Sequence, residues 1–230
     1  KDVGFDLWCK LENIETGVAL FSNKISEPMA MTTQMVGKLA NDIITSLKVK
    51  TKQDVMKTAT TNSEAYEYYL KGKYKYDKRR NMEDMEIARR LLQKAIELDD
   101  NLLIAKNRLG YTYMVTGDLD KGMEIITNNL KQAKQIDNKV ALGNSFFYIG
   151  GIYFVRGEYD EGLKYYNHSL EIKEELGDKD GMGILLVNIG AIYHTMGEYD
   201  KALNFYTRSL KIAQEIDNKL VISMNLGNIG

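Results

Sequence analysis

The chain has 230 residues, enough for one or two domains, and an ordinary 44% of them are hydrophobic. Its 31 Lys and Arg nearly balance 32 Asp and Glu, so it lacks the basic excess with which nucleic-acid-binding proteins neutralise phosphates. The single cysteine, Cys9, excludes an internal disulfide, and no run of about 18 apolar residues offers a membrane span.

The first sixty residues read as two strands, a helix and a linker. Phe5, Leu7, Cys9 and Leu11 alternate with Asp6, Trp8, Lys10 and Glu12, the pattern of a half-buried strand. NIETG (13–17) is a turn, and VALFSNKI (18–25) is a second strand. Pro28 precedes a helix in which Met31, Met35, Leu39, Ile43 and Leu47 recur every four residues, beside Val36, Ala40 and Ile44. Two strands and a helix are too little for a stable sheet, so residues 1–48 read as the C-terminal part of an α/β domain. Residues 49–61 form a polar linker.

From residue 62 onward the chain repeats itself. NRLGYTYMVTGDLDKG, FYIGGIYFVRGEYDEG and VNIGAIYHTMGEYDKA align without gaps at an offset of 40 residues. Gly110, Gly150, Gly190 and Gly230 fall in register, as do Tyr113, Tyr153 and Tyr193, and Gly117, Gly157 and Gly197. IDNK (136–139), LGDK (176–179) and IDNK (216–219) close each unit. The physical expectation is a helical hairpin. A glycine in the first helix lets its neighbour approach, and the aromatic three residues on fills the gap beside it. A second glycine ends the helix in a left-handed turn. Small Gly162 and Ala202 mark the crossing point in the second helix. An earlier unit, EAYEYYLKGKYKY (64–76) followed by IARRLLQKAIELDD (87–100), diverges and reads as a hairpin with a longer turn, Lys78 to Asp84.

The run Gly197, Glu198, Tyr199, then Ala202, Tyr206 and Leu210, resembles the tetratricopeptide repeat in a 40-residue form. That resemblance implies a mainly α fold: a right-handed solenoid of helical hairpins at 62–100, 101–138, 139–178 and 179–218, with a fifth starting at 219–230. The strand, ETG turn, strand, helix and linker ahead of it resemble the end of the TolB-amino-terminal-like domain that precedes such repeats in bacterial signalling proteins. The chain begins at Lys1 and stops at Gly230 inside a repeat, which reads as a piece of a longer protein. Its compartment stays open between the cytoplasm and an extracytoplasmic part of a membrane-tethered protein.

No catalytic, cofactor or metal constellation stands out. His168 and His194 are isolated, without HxxxH or CxxC spacing; His168 reads as a surface residue and His194 as a lining residue of a groove rather than a metal ligand. GMG (181–183) lacks the Lys-Ser/Thr of a phosphate loop and follows no strand. Acidic pairs such as Glu174-Glu175 read as solvated helix faces. The expectation is a non-catalytic scaffold that needs no cofactor and binds a protein or peptide. One alternative is a sensory module controlling an enzymatic domain outside these residues. Another is nucleic-acid binding through the basic, tyrosine-rich first repeat. By resemblance, first-helix residues line a concave groove. The register points to Tyr69, Lys73 and Tyr76, to Asn107, Tyr111 and Met114, to Asn144, Phe147 and Phe154, and to Val187 and His194. The amides of Asn107 and Asn144 are expected to clamp a peptide backbone, and the aromatics to supply apolar pockets.

Overall fold

The computed structural model describes the backbone of residues 4–12 and 19–28 and the whole of residues 62–229. Strands β1 (Gly4–Glu12) and β2 (Ala19–Pro28) pair antiparallel, with Phe5 opposite Glu27 and Leu11 opposite Phe21, and the register shifts at Glu12. The second strand thus runs three residues past Ile25. The helix expected after Pro28, the linker and Gly230 lie outside the described residues.

Nine helices occupy residues 63–229 of the described chain: α1 (Ser63–Asp77), α2 (Met82–Leu98), α3 (Leu103–Met114), α4 (Leu119–Gln135), α5 (Lys139–Arg156), α6 (Tyr159–Leu176), α7 (Lys179–Thr195), α8 (Tyr199–Glu215) and α9 (Lys219–Ile229). Each odd-numbered helix up to α7 pairs with the even one after it, and α9 adds to the α7/α8 hairpin.

The joints between hairpins depend on two residues. Asp137, Gly177 and Asp217 have positive φ (51°, 66° and 53°), which stops the preceding helix. The next residue folds back: the N–H groups of Asn138, Asp178 and Asn218 donate to the carbonyls of Ala133, Lys173 and Ala213 at 2.8–2.9 Å. The same three side chains then accept from the N–H groups of Ala141, Gly181 and Val221 at 2.9–3.0 Å, capping the following helix. The repeated IDNK and LGDK motifs are therefore a stop and a start in adjacent residues.

Within each hairpin the small residues sit at the crossing. A Cβ added at Gly150 would lie 2.6 Å from the Tyr166 ring and 3.1 Å from the carbonyl oxygen of Gly162. At Gly190 the corresponding neighbour is Tyr206. The gap beside the first-helix glycine is therefore filled from the second helix, and the expectation for Tyr113, Tyr153 and Tyr193 is corrected. Tyr153 instead stacks on Tyr165 with ring centroids 5.3 Å apart, and Tyr193 on Phe205 at 5.4 Å. Tyr113 carries the Arg89 guanidinium 4.0 Å above its ring.

The divergent first hairpin obeys the same rule with Gly72 against Leu92. From Tyr76 to Ala88 the chain takes twelve steps where Met114 to Gly122 takes eight, so the unit holds four extra residues. They are not housed in a longer turn. Helix α2 starts early, at Met82, with Asn81 capping the N–H of Asp84 at 2.9 Å, so most of the insertion is helical.

Buried polar side chains link the helices, some within a hairpin and some from one hairpin to the next. Ser169 and Ser209 donate to the carbonyls of Gly143 and Gly183 at 2.8 and 2.7 Å. Asn129, at the equivalent position, donates to the carbonyl of Leu103 at 3.1 Å and to the Ser145 hydroxyl at 3.3 Å. Arg89 of α2 is buried, and it reaches the hydroxyl (3.2 Å) and carbonyl (3.0 Å) of Thr112 in α3. This bond set ties the irregular first hairpin to the regular ones.

Candidate binding face

Most successive first helices touch one another: α1 and α3, α3 and α5, and α7 and α9. Helix α3 packs against both α1 and α5, whereas the second helices α2, α4, α6 and α8 make no contacts of that extent among themselves. In a stacked array the layer whose members approach most closely is the inner side of the curve. The rings of Tyr76, Tyr111 and Tyr148, one from each of α1, α3 and α5, run along this layer with centroid separations of 5.6 and 5.2 Å.

The structure divides the sequence-predicted residues into two sets. Tyr69, Tyr76, Asn107 and Val187 are buried. Tyr69 packs among Ala65, Leu92, Ala95 and Leu109, and Val187 among Ala202, Tyr206 and Val221. Asn107 is 2% exposed. Its Nδ2 donates to the carbonyl of Ala141 at 3.4 Å and its Oδ1 accepts from the Ser145 hydroxyl at 3.0 Å. The expected amide clamp is therefore corrected at this position, because the side chain joins two hairpins. Asn144 is half-buried and accepts from Lys173 Nζ at 3.3 Å; that ammonium also bonds Asp178 Oδ2 at 2.8 Å. Its amide oxygen is committed within its own hairpin.

The second set remains accessible. Lys73 and His194 are exposed, and Tyr111, Met114, Phe147 and Phe154 are half-buried. Met114 lies over Gly151, with its sulfur 3.5 Å from where a Cβ would stand. Phe147 packs against Tyr148 at 5.3 Å and Tyr166 at 5.8 Å, Phe154 against Tyr159 at 6.0 Å, and His194 edge-on to Tyr199 at 5.3 Å. His168 is likewise exposed and lies 5.3 Å from Phe146.

Two residues of this face, Arg108 and Tyr148, were absent from the sequence-predicted set. The 40-residue offset places them at one position of successive hairpins, three residues before Tyr111 and Gly151. Its change of residue type between copies is the signal that marks it. The Arg108 guanidinium lies 5.7 Å from the ring centroid of Tyr76 and 6.0 Å from that of Tyr111. Burial disfavours its charge, but Tyr148, Tyr69 and Asp77 more than offset this and hold its pKa above the usual value. Burial, then the hydroxyl contact with Tyr111, raises the pKa of Tyr76, so this ring stays neutral.

Among the described residues no three His, Cys, Asp or Glu side chains converge to hold a metal, and no helix is long and apolar enough to cross a membrane.

Residues 143–215 match the family model of the tetratricopeptide repeat. No curated protein matches the chain. Solved structures share its fold. Aspartyl phosphate phosphatase F from Bacillus subtilis aligns with a TM-score of 0.62 at 14% identity, over 84% of this chain and 49% of that one. A signal transduction ATPase with numerous domains and a tetratricopeptide repeat sensor, from Pyrococcus horikoshii, gives 0.63 at 18% identity, over 87% and 29%. A Rap protein complexed with competence and sporulation factor gives 0.59 at 14% identity, over 85% and 76%. The chain thus spans about half or less of the first two proteins. At these identities the likeness is one of fold: an array of tetratricopeptide-type hairpins.

Proposed function

We propose that this array is a scaffold that holds a protein or peptide along the inner face of its first helices and performs no chemistry of its own. The observation that carries this reading is the composition of that face. Half-buried Tyr111, Met114, Tyr148 and Phe154 and exposed Lys73 and His194 all stand on first helices, and the rings of Tyr76, Tyr111 and Tyr148 run from one of these helices to the next. Aromatic side chains held on a fixed frame give large contact area at small entropic cost. The Rap protein of similar fold is complexed with competence and sporulation factor in its structure, which supports the use of such an array for recognition.

The test is affinity capture with the full 230-residue chain, comparing wild type with a Tyr111→Ala/Phe154→Ala variant whose melting curve shows it folded. The same partners on both proteins would sink the inner-face reading.

A second reading is that the array is the sensory part of a larger signalling protein. The hairpin-helix-linker sequence ahead of the repeats, with its resemblance to a TolB-amino-terminal-like domain, favours it. So does the repeat sensor in the Pyrococcus neighbour. Here ligand binding would change the activity of an attached module. An enzymatic module encoded in the same gene, whose rate does not respond to loss of the inner face, would refute it.

A further inference from the structure

The joint between the third and fourth hairpins is built unlike the other three. At each of those a buried polar side chain crosses between hairpins: Arg89 reaches Thr112, Asn129 reaches Ser145, and Asn225 reaches Ser209. Among the described residues no buried polar side chain crosses from the third hairpin to the fourth. Ser169 and Lys173 both bond within the third. The contact is apolar instead, with Tyr166 and Leu170 packed against Leu185, Leu186, Ile189 and Ile192. The inner layer is interrupted at the same place. Helices α5 and α7 do not approach one another as the other successive first helices do. The row of tyrosines ends at Tyr148, and Asn188, at the matching position of α7, donates to the Ile184 carbonyl of its own helix at 2.8 Å.

This joint is also the richest in glycine. Gly177, Gly181 and Gly183 stand where the joint before has Asp137, Ala141 and Gly143, and the joint after has Asp217, Val221 and Ser223. Glycine inside a helix lowers the cost of leaving helical geometry. The turn itself is pinned to the third hairpin, because buried Lys173 holds Asp178 Oδ2 at 2.8 Å and Asn144 Oδ1 at 3.3 Å. A Cβ at Gly181 would fall 2.5 Å from the Lys173 nitrogen, so glycine leaves room for this clasp. The freedom therefore lies just beyond the clasp, at the start of α7.

Rotation about a polar joint strands buried hydrogen-bonding groups, whereas apolar surfaces are non-directional and can slide. We propose that residues 179–183 are a hinge about which residues 62–178 and 184–229 move as two bodies. Phe147 and Phe154 of α5 stand on one side of it and His194 of α7 on the other, so the motion sets the width of the inner face there. The hinge follows from the joints alone and holds whether or not that face takes a peptide.

The test uses the full 230-residue chain carrying Cys9→Ser, with nitroxide labels at exposed positions one repeat apart. Pulsed electron resonance compares two pairs: Lys131→Cys/Glu171→Cys spans the second and third hairpins, and Glu171→Cys/Lys211→Cys spans the hinge. The distance distribution across the hinge should be at least about twice as wide as the other. Equal widths, or a wider distribution between the second and third hairpins, overturn the proposal. Gly183→Ala should narrow the distribution across the hinge, because it raises helix propensity at the start of α7 and its Cβ meets Val221 at an ordinary 3.4 Å. A width unchanged by Gly183→Ala removes residues 179–183 as the hinge.

Discussion

The joint between the second and third hairpins and the joint between the third and fourth use the same backbone and different chemistry. In the first, Asn129 donates to Ser145, Ser145 donates to Asn107, and Asn107 donates on to the Ala141 carbonyl, a chain of buried polar groups. In the second, Ser169 donates only within its own hairpin, to the Gly143 carbonyl, and the position it faces in the next hairpin, matching Ser145, is Leu185, fully buried. The constant element is one polar side chain of the second helix bonded to a first-helix carbonyl. What varies is the residue it meets from the next hairpin. A repeat can thus keep its geometry while exchanging apolar packing for hydrogen bonds, provided both sides of the joint change together.

The largest expected effect lies on the apolar side of that comparison. Leu185→Ala should destabilise the fourth hairpin by about 2–5 kcal/mol through lost burial and a cavity. Hydrogen exchange should show the loss concentrated in α7 to α9.

The polar joint should respond less. Ser145→Ala should cost about 1–3 kcal/mol, because it leaves the amides of Asn129 and Asn107 without a shared partner. Urea melts of the two variants side by side give the ranking. A Ser145→Ala cost equal to that of Leu185→Ala would break the distinction between the joints.

The caps sharpen it further. Asn138 caps the third hairpin and Asp178 the fourth, so only one joint contains a titratable start signal. Burial pushes the Asp178 carboxyl up, but the Lys173 ammonium and the Gly181 N–H outweigh it and hold its pKa below the usual 3.8. A carboxyl whose pKa is depressed by folding contributes stability above its unfolded pKa, and loses it as pH falls through the folded value. Asp178→Ala should therefore cost about 1 kcal/mol at pH 7. The difference from wild type should shrink below pH 4, while that of Asn138→Ala stays constant. Thermal melts at pH 7 and pH 3 read both.

The smallest effect concerns the stop residues. Asp137→Gly should stabilise by up to about 1 kcal/mol by relieving a left-handed L-residue, and Gly177→Ala should destabilise by a similar amount. Opposite signs at matched positions are the outcome to look for in the melting midpoints.

Much of this architecture is legible in the sequence, because a repeat states each constraint several times. The offset that aligns Gly110, Gly150 and Gly190 gives the hairpins and their crossing points, and the IDNK and LGDK runs give the joints. The candidate face is legible only in part. Asn107 and Arg108 are neighbours on one helix, and composition makes both plausible as groove residues. A difference of about 100° around the helix axis separates them. It sends the amide into the next hairpin and leaves the guanidinium among the tyrosines. The role expected of Tyr153 fails for a related reason. Sequence spacing shows that it shares a helix face with Gly150, but not that Tyr166 from the other helix already occupies the space. The insertion in the first hairpin is legible as extra length, but its helical form is not, because Asn81 is as good a cap as it is a loop residue.

The polar joints also make the hairpins non-interchangeable. Excising residues 139–178 would preserve every backbone contour, since one whole 40-residue unit is lost. Yet it would set Leu185 against Asn129 and strand a buried amide. Excising 179–218 instead would set Asn225 against Ser169. In the present chain Asn225 Nδ2 donates to Ser209, the residue at the same position, at 2.8 Å. A gene that gains or loses units by recombination is therefore not free at every boundary. The permitted junctions are written in which residue stands at 145, 185 or 225, and the order of the hairpins is inherited as a set of matched neighbours.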